Sequence, residues 1–200
     1  IILAAAIFLL GSCNVARYLE DDEYLVKKNK VEITDKTQSS ADPDLIYNLE
    51  SFIIQKPNRD YFFLPREWIY FRNEEEFLKS KKRKGILKEA ELPVLHEDEA
   101  MLKTAEQMEK YLRFSKGFYN AKVYPIAFLS EKRADVTYQV VTSDRYIIRS
   151  KEYFSEDERI LELIESSESS TLLKEGTKVD EAIFDEEKSR IVGYLQNKGF

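Results

Sequence analysis

The sequence predicts an α+β fold made of two copies of one strand-helix-helix-strand-strand unit, a three-stranded layer backed by two helices, with the second copy cut short. Three observations carry this prediction. The phrase Tyr111-Leu112, Lys116-Gly117-Phe118 returns as Tyr194-Leu195, Lys198-Gly199-Phe200. The two glycines stand about 80 residues apart, the length of one small domain, as a repeated unit requires. Past Gly117 the apolar spacing changes from helical to strictly alternating, which marks a hairpin.

Residues Ile1 to Leu10 are all apolar. A run of this length cannot cross a hydrocarbon core of about 30 Å as a helix and reads as the h-region of a secretory signal peptide, residues 1–12. Leu10-Gly11-Ser12-Cys13 resembles the bacterial lipobox, whose cysteine thiol carries diacylglycerol; no other cofactor is expected. With neither an initiating Met nor a basic stretch ahead of it, the sequence reads as clipped at its start. Cys13 is the only cysteine, so the mature chain has no disulfide and no thiolate metal cluster. Lipid on Cys13 would tether residues 13–24 to a membrane, each buried methylene contributing about 0.8 kcal/mol. The acidic cluster Glu20 to Glu23 reads as solvated tether.

The first copy is expected at 25–144. Val31-Glu32-Ile33-Thr34 alternates as a strand, and Asp42-Pro43 is a cap-and-first-turn signal for a helix. That helix carries Leu45, Leu49, Phe52 and Ile53 on one face until Pro57-Asn58. Residues 59–97 break the pattern and read as an insertion, with aromatics from Tyr61 to Phe71, acids at Glu74 to Glu76 and bases from Lys79 to Lys84. Two readings of it stay open, aromatics leaning on a lipid surface beside basic residues or core aromatics followed by a solvated helix end. Thr104 to Gln107 reads as a capping box opening the Met108–Leu112 helix. In the hairpin, Tyr124, Ile126 and Phe128 share one side, and Ala134, Val136, Tyr138 and Val140 alternate with polar residues. Pro125 cannot donate to a ladder, so its strand belongs at the sheet edge; the same missing donor also discourages pairing there.

The second copy, 145–200, begins with a strand at Tyr146 to Arg149. Ser155 with Glu158 reads as a capping box before a helix bearing Ile160, Leu161 and Ile164, and Thr177 to Asp180 leads into the next helix. Its stripe Phe184, Ile191, Leu195 has the spacing of Met101, Met108, Leu112. The repeat slips by one residue between leucine and glycine. No counterpart of the first hairpin follows.

The chain is 43% hydrophobic and 34% charged with a formal net charge of −6, enough for ordinary cores and unsuited to binding a phosphate backbone. His96, the only histidine, sits among Glu97, Asp98 and Glu99, a spacing that fits no metal template and reads as a solvated acidic turn. No serine occupies a nucleophile-elbow context and no glycine-rich phosphate loop occurs, so the residues suggest no enzyme.

A strand-helix-helix-strand-strand unit whose second helix ends in Tyr-Leu, Lys-Gly and an aromatic before a hairpin resembles the POTRA domain. Together with the lipobox, the Glu23-Tyr24-Leu25 start, the Gln55-Lys56-Pro57-Asn58 turn and the inserted first unit, the chain resembles the lipoprotein TamA-like (TamL) members of the BamA/TamA superfamily. That resemblance implies tandem units with small mixed sheets, projecting into the periplasm from an outer-membrane β-barrel that would have to follow Phe200. It implies a role in envelope assembly or translocation, at the periplasmic side of the outer membrane. Its partners would be unfolded outer-membrane or envelope proteins, with a periplasm-spanning partner protein left open, and no nucleic acid. The implied mechanism is β-augmentation, a client segment adding a strand to a sheet edge through main-chain hydrogen bonds. The candidate edge is Lys122, Val123, Tyr124, Ile126 and Phe128. A stand-alone lipoprotein that scaffolds or binds an envelope partner is the alternative.

Overall fold

The structure, a computed structural model, describes residues 15–34, 43–62, 64–72 and 89–200. These residues form an α+β arrangement containing a three-stranded mixed sheet and several helices. The chain divides into two units. One is drawn from the described parts of Ile1–Glu32, Ile46–Ala105 and Tyr124–Gln139, the other from those of Ile33–Leu45, Glu106–Val123 and Val140–Phe200.

The sheet contains β1 (Leu25–Ile33), β4 (Lys122–Ser130) and β5 (Arg133–Val141), in the order β1-β5-β4. Leu25 N–H donates to Lys132 O at 3.0 Å and Thr34 N–H to Val140 O at 2.9 Å, so β1 and β5 advance together and are parallel. Between β4 and β5 the chain reverses over Glu131 and Lys132, both left-handed (φ 49 and 63), as a type I′ hairpin turn demands. Every second residue of β5, namely Ala134, Val136, Tyr138 and Val140, is buried, which is the alternation expected of a strand with one face on a core. β1 begins six residues before the strand expected at Val31, because pairing with β5 recruits the polar stretch Lys27 to Lys30.

Helix α1 (Pro43–Ser51) buries Leu45 and Leu49, and α3 (Asp98–Lys110) buries Ala105 and Met108. Asp42, the expected cap of α1, lies outside the described residues. The helix stops at Ser51, well before Pro57, as Phe52 and Ile53 close tight turns onto Leu49 O and Glu50 O. The next N–H, that of Ile54, donates to Thr104 Oγ1 at 3.2 Å. Thr104 is therefore no cap. It is a fully buried residue inside α3, bonded also to Ala100 O at 2.9 Å, and it lies beside Tyr138 of β5, whose phenol burial pushes up in pKa. This hydroxyl ties the end of α1 to α3.

The stretch expected to be an insertion holds the short hairpin β2 (Asp60–Tyr61) with β3 (Leu64–Pro65), pairing Asp60 with Pro65 and Tyr61 with Leu64, and then α2 (Arg66–Arg72). Ile69 and Glu67 are buried, and Glu67 pairs with Lys27 of β1. Phe71 stacks on Tyr18 with ring centroids 5.1 Å apart. Of the insertion's described aromatics only Phe62 is exposed; Phe63 and the basic run Lys79 to Lys84 lie outside the described residues.

In the other unit, the end of α3 continues into a π-helical turn at Tyr111–Ser115, where Lys116 N–H reaches Tyr111 O at 3.2 Å. A π turn is an α-helix with one residue inserted. It absorbs the one-residue slip of the repeat. Gly117 (φ 72) and Gly199 (φ 91) are both left-handed, and the aromatic after each returns its N–H to the equivalent leucine, Phe118 to Leu112 O at 2.9 Å and Phe200 to Leu195 O at 3.1 Å.

The expected strand at Tyr146 to Arg149 is an extended segment paired antiparallel with Gly176–Val179. Ile148 N–H donates to Thr177 O and Val179 N–H to Tyr146 O, each at 2.8 Å, around the bridge Ile147 to Lys178. Helix α4 (Glu158–Ser166) is capped by Asp157, whose carboxylate accepts from Arg159 N–H at 2.9 Å, in place of Ser155; the Ser155 hydroxyl binds Asp157 N–H instead. Helix α5 (Glu181–Asn197) is capped by Asp180. Arg145 bridges Lys116 O (2.6 Å), Val179 O (3.1 Å) and the Asp180 carboxylate (2.7 Å), and Lys116 meets Asp180 at 3.1 Å. These cations hold Asp180 below the usual carboxylate range.

Within α5, Glu187 is buried at the repeat position of Thr104 and does the same work. It accepts from Leu172 N–H on the segment leaving α4 (2.9 Å), from Thr171 Oγ1 (2.9 Å) and from Arg190 (2.7 Å). The stripe differs in burial, since Met108 and Leu112 are fully buried whereas their counterparts Ile191 and Leu195 are half-buried, and Phe184 is exposed where Met101 is half-buried.

A Cβ on Gly117 would lie 2.6 Å from Val179 O, while one on Gly199 would meet nothing within 4 Å. Gly117→Ala therefore costs left-handed strain plus a backbone clash, about 2–4 kcal/mol in denaturant unfolding, against about 1 kcal/mol for Gly199→Ala. Glu187 is held at a pKa of about 2, first by the hydrogen bond from Arg190, against an ordinary 4.5. Its stabilisation is complete above about pH 4.5 and disappears as pH falls toward about 2, because the folded value is the depressed one. Glu187→Gln should flatten that acid slope in pH-dependent unfolding.

Candidate strand-pairing edge

The turn at Glu131 and Lys132 sets which way each backbone group of β4 points. In a two-residue hairpin the flanking residues, here Ser130 and Arg133, exchange both hydrogen bonds. Counting back by twos, Phe128, Ile126, Tyr124 and Lys122 face β5. Val123, Pro125, Ala127 and Leu129 direct their main-chain groups away from the sheet. Because β4 ends the strand order, these four residues form the outer edge of the sheet, beside which no further strand lies among the described residues. Pro125 occupies an outward position, so the ladder to β5 loses no bond to it.

Of the expected edge residues, Tyr124, Ile126 and Phe128 are 55, 48 and 70% exposed, a row of apolar side chains on the face opposite the buried Val123. Lys122 is exposed as well. The strand extends past Phe128 to Leu129 and Ser130, which the alternation at Tyr124, Ile126 and Phe128 did not reveal. Two residues of the preceding helix also reach the edge. Glu109 Oε1 accepts from Val123 N–H at 3.0 Å, and Arg113 donates to Ala121 O at 3.1 Å and to Glu109 at 2.7 Å. Lys122 Nζ adds a longer ion pair to Glu109 at 3.8 Å. The spacing of Glu109 and Arg113 is visible in the sequence, but it reads only as a helical ion pair.

The opposite side of the sheet is partly covered. Past β1, Val26 N–H donates to Val94 O at 2.9 Å and His96 N–H to Tyr24 O at 2.8 Å, around an antiparallel bridge between Leu25 and Leu95. The segment that covers β1 is held by the Gln55–Asn58 turn. Gln55 binds Leu95 O and accepts from Glu97 N–H (3.1 Å), and Asn58 binds Leu92 O (3.0 Å), Val94 N–H (3.3 Å) and Glu91. The Asn58 bond, aided by Arg66, lowers the Glu91 pKa. His96 is not solvated as its acidic neighbours suggested; its side chain is 6% exposed because its backbone pairs with Tyr24, with Nε2 3.1 Å from Asp98.

Cys13 lies outside the described residues. Among the described residues there is no cluster of three or more His, Cys, Asp or Glu able to hold a metal, and no helix long and apolar enough to cross a membrane. No family model matches the chain, and no curated protein matches it either.

Proposed function

We propose that this chain is the periplasmic region of a lipid-anchored outer-membrane assembly factor, built from tandem POTRA-like units, and that it receives unfolded envelope proteins by strand addition to β4. The observation that carries this reading is the strand order β1-β5-β4, which leaves the hairpin's first strand at the end of the sheet. The topology supports it too, since strand, helix, helix and hairpin follow one another once the insertion is set aside. So does the repeated corner at Gly117 and Gly199. Main-chain pairing is blind to sequence, which suits a factor that handles many clients, and the exposed row Tyr124, Ile126, Phe128 gives a client strand apolar neighbours. Lipid on Cys13 would hold the unit beside the membrane where clients are inserted.

Photo-crosslinking decides the matter. A crosslinker at Ile126 or Phe128 should capture unfolded outer-membrane proteins well above one at Leu102, an exposed apolar position on α3. Equal capture from Leu102 rejects strand addition and favours a lipoprotein that binds a folded partner through its helices. Val123, being buried, is not a useful crosslinking position. Cys13→Ala should abolish labelling by a radioactive fatty acid and leave the unprocessed precursor; unchanged labelling would rule out the anchor.

A further inference from the structure

The outward rungs of β4 are not equivalent. At its start, the Ala121 carbonyl accepts from Arg113 at 3.1 Å and the Val123 N–H donates to Glu109 at 3.0 Å. Arg113 and Glu109 are themselves joined at 2.7 Å. One guanidinium donor and one carboxylate acceptor, held four residues apart on a helix, thus take the places that the N–H and C=O of a neighbouring strand would occupy. The next outward residue, Pro125, has no N–H to offer. Further along, no described residue bonds the outward groups of Ala127 or Leu129.

We infer that the Glu109–Arg113 pair acts as a mock strand that closes the first part of the β4 edge and confines an incoming extended segment to Ala127–Leu129. The inference rests on the strand-addition reading for its client and on the edge geometry alone for the closure. Charge-assisted hydrogen bonds are roughly twice as strong as those between neutral groups, so a client peptide cannot displace the pair on equal terms. The occupant is therefore a short extended stretch of an unfolded polypeptide, in register with the only two outward residues that keep both donor and acceptor. Its side chains on one face lie beside Ile126 and Phe128, both exposed and apolar, which favours apolar residues at alternate positions. A longer pairing requires the ion pair to open, so Glu109 and Arg113 set how much of a client the edge can grip.

Amide hydrogen exchange on the intact chain tests both parts. In the free protein, Val123 should exchange about tenfold or more slowly than Ala127 and Leu129, and Glu109→Ala should remove most of that difference. Glu109→Gln, which keeps an acceptor oxygen, should lose less. Equal exchange at the three amides of the unaltered protein would overturn the closure, whatever the client. The probe for the second part is a blocked decapeptide of alternating valine and threonine. It should slow exchange at Ala127 and Leu129 only, and the slowed region should lengthen in Glu109→Ala. Peptide-dependent changes centred on residues 122–125 of the unaltered protein would overturn the inference while leaving strand addition standing. Peptide binding with no effect anywhere on β4 would overturn strand addition itself and leave the closure to the free-protein result.

Discussion

The placement of β5 between β1 and β4 is the constraint on which the remaining structure depends. Its buried face, Ala134 through Val140 at alternate positions, admits only one register, because a slip of one residue would turn that face to solvent. β1 runs parallel to it and β4 antiparallel. The parallel pair cannot be joined by a short turn, so the chain between β1 and β4 has to cross over, and α1 and α3 supply that crossover. A sheet of this order has two ends. One is partly covered by the return of the insertion at Val94–His96, and the other is β4.

The two Lys-Gly-aromatic segments follow helices that satisfy the backbone in the same way. In each case a chain leaving a neighbouring helix has an N–H that no helix can accept, at Ile54 and at Leu172. Each is met by a buried polar side chain three residues past the first apolar position of the second helix, Thr104 in one case and Glu187 in the other. The chemistry differs and the position does not. A threonine needs no counter-ion, whereas a buried carboxylate requires Arg190, and the depressed pKa of Glu187 measures how fully that requirement is met.

Much of the fold was legible because it rests on local rules. The hairpin announced itself by alternation, and the two Lys-Gly-aromatic corners by the need for a left-handed residue. The one-residue difference between the two Leu-to-Gly spacings is matched by the π turn at Tyr111–Ser115. What could not be read was long-range. Thr104 and Gln107 have the spacing of a capping box, and only the arrival of Ile54 and Tyr138 makes Thr104 an interior residue. His96 sits in an acidic stretch, yet its backbone pairs with Tyr24, far away in sequence, and the side chain is buried in consequence. At the edge, Tyr124, Ile126 and Phe128 were legible as a row, whereas Glu109 and Arg113 were not, since nothing in a helical ion pair says that its far side touches another strand.

The turn at Gln55–Asn58 has a consequence for how this chain can vary. Asn58 and the segment from Leu92 to Val94 are hydrogen-bonded neighbours, so the excursion between them leaves and returns at a single point beside β1. Closing a loop whose ends are already clasped depends only weakly on its length, each doubling costing about 0.6 kcal/mol. Outside α2, whose Glu67 and Ile69 are tied to β1 and the core, the stretch can accordingly change in length at modest cost to the sheet it departs from. Tolerance of insertion and deletion is thus concentrated at the end of the sheet away from β4.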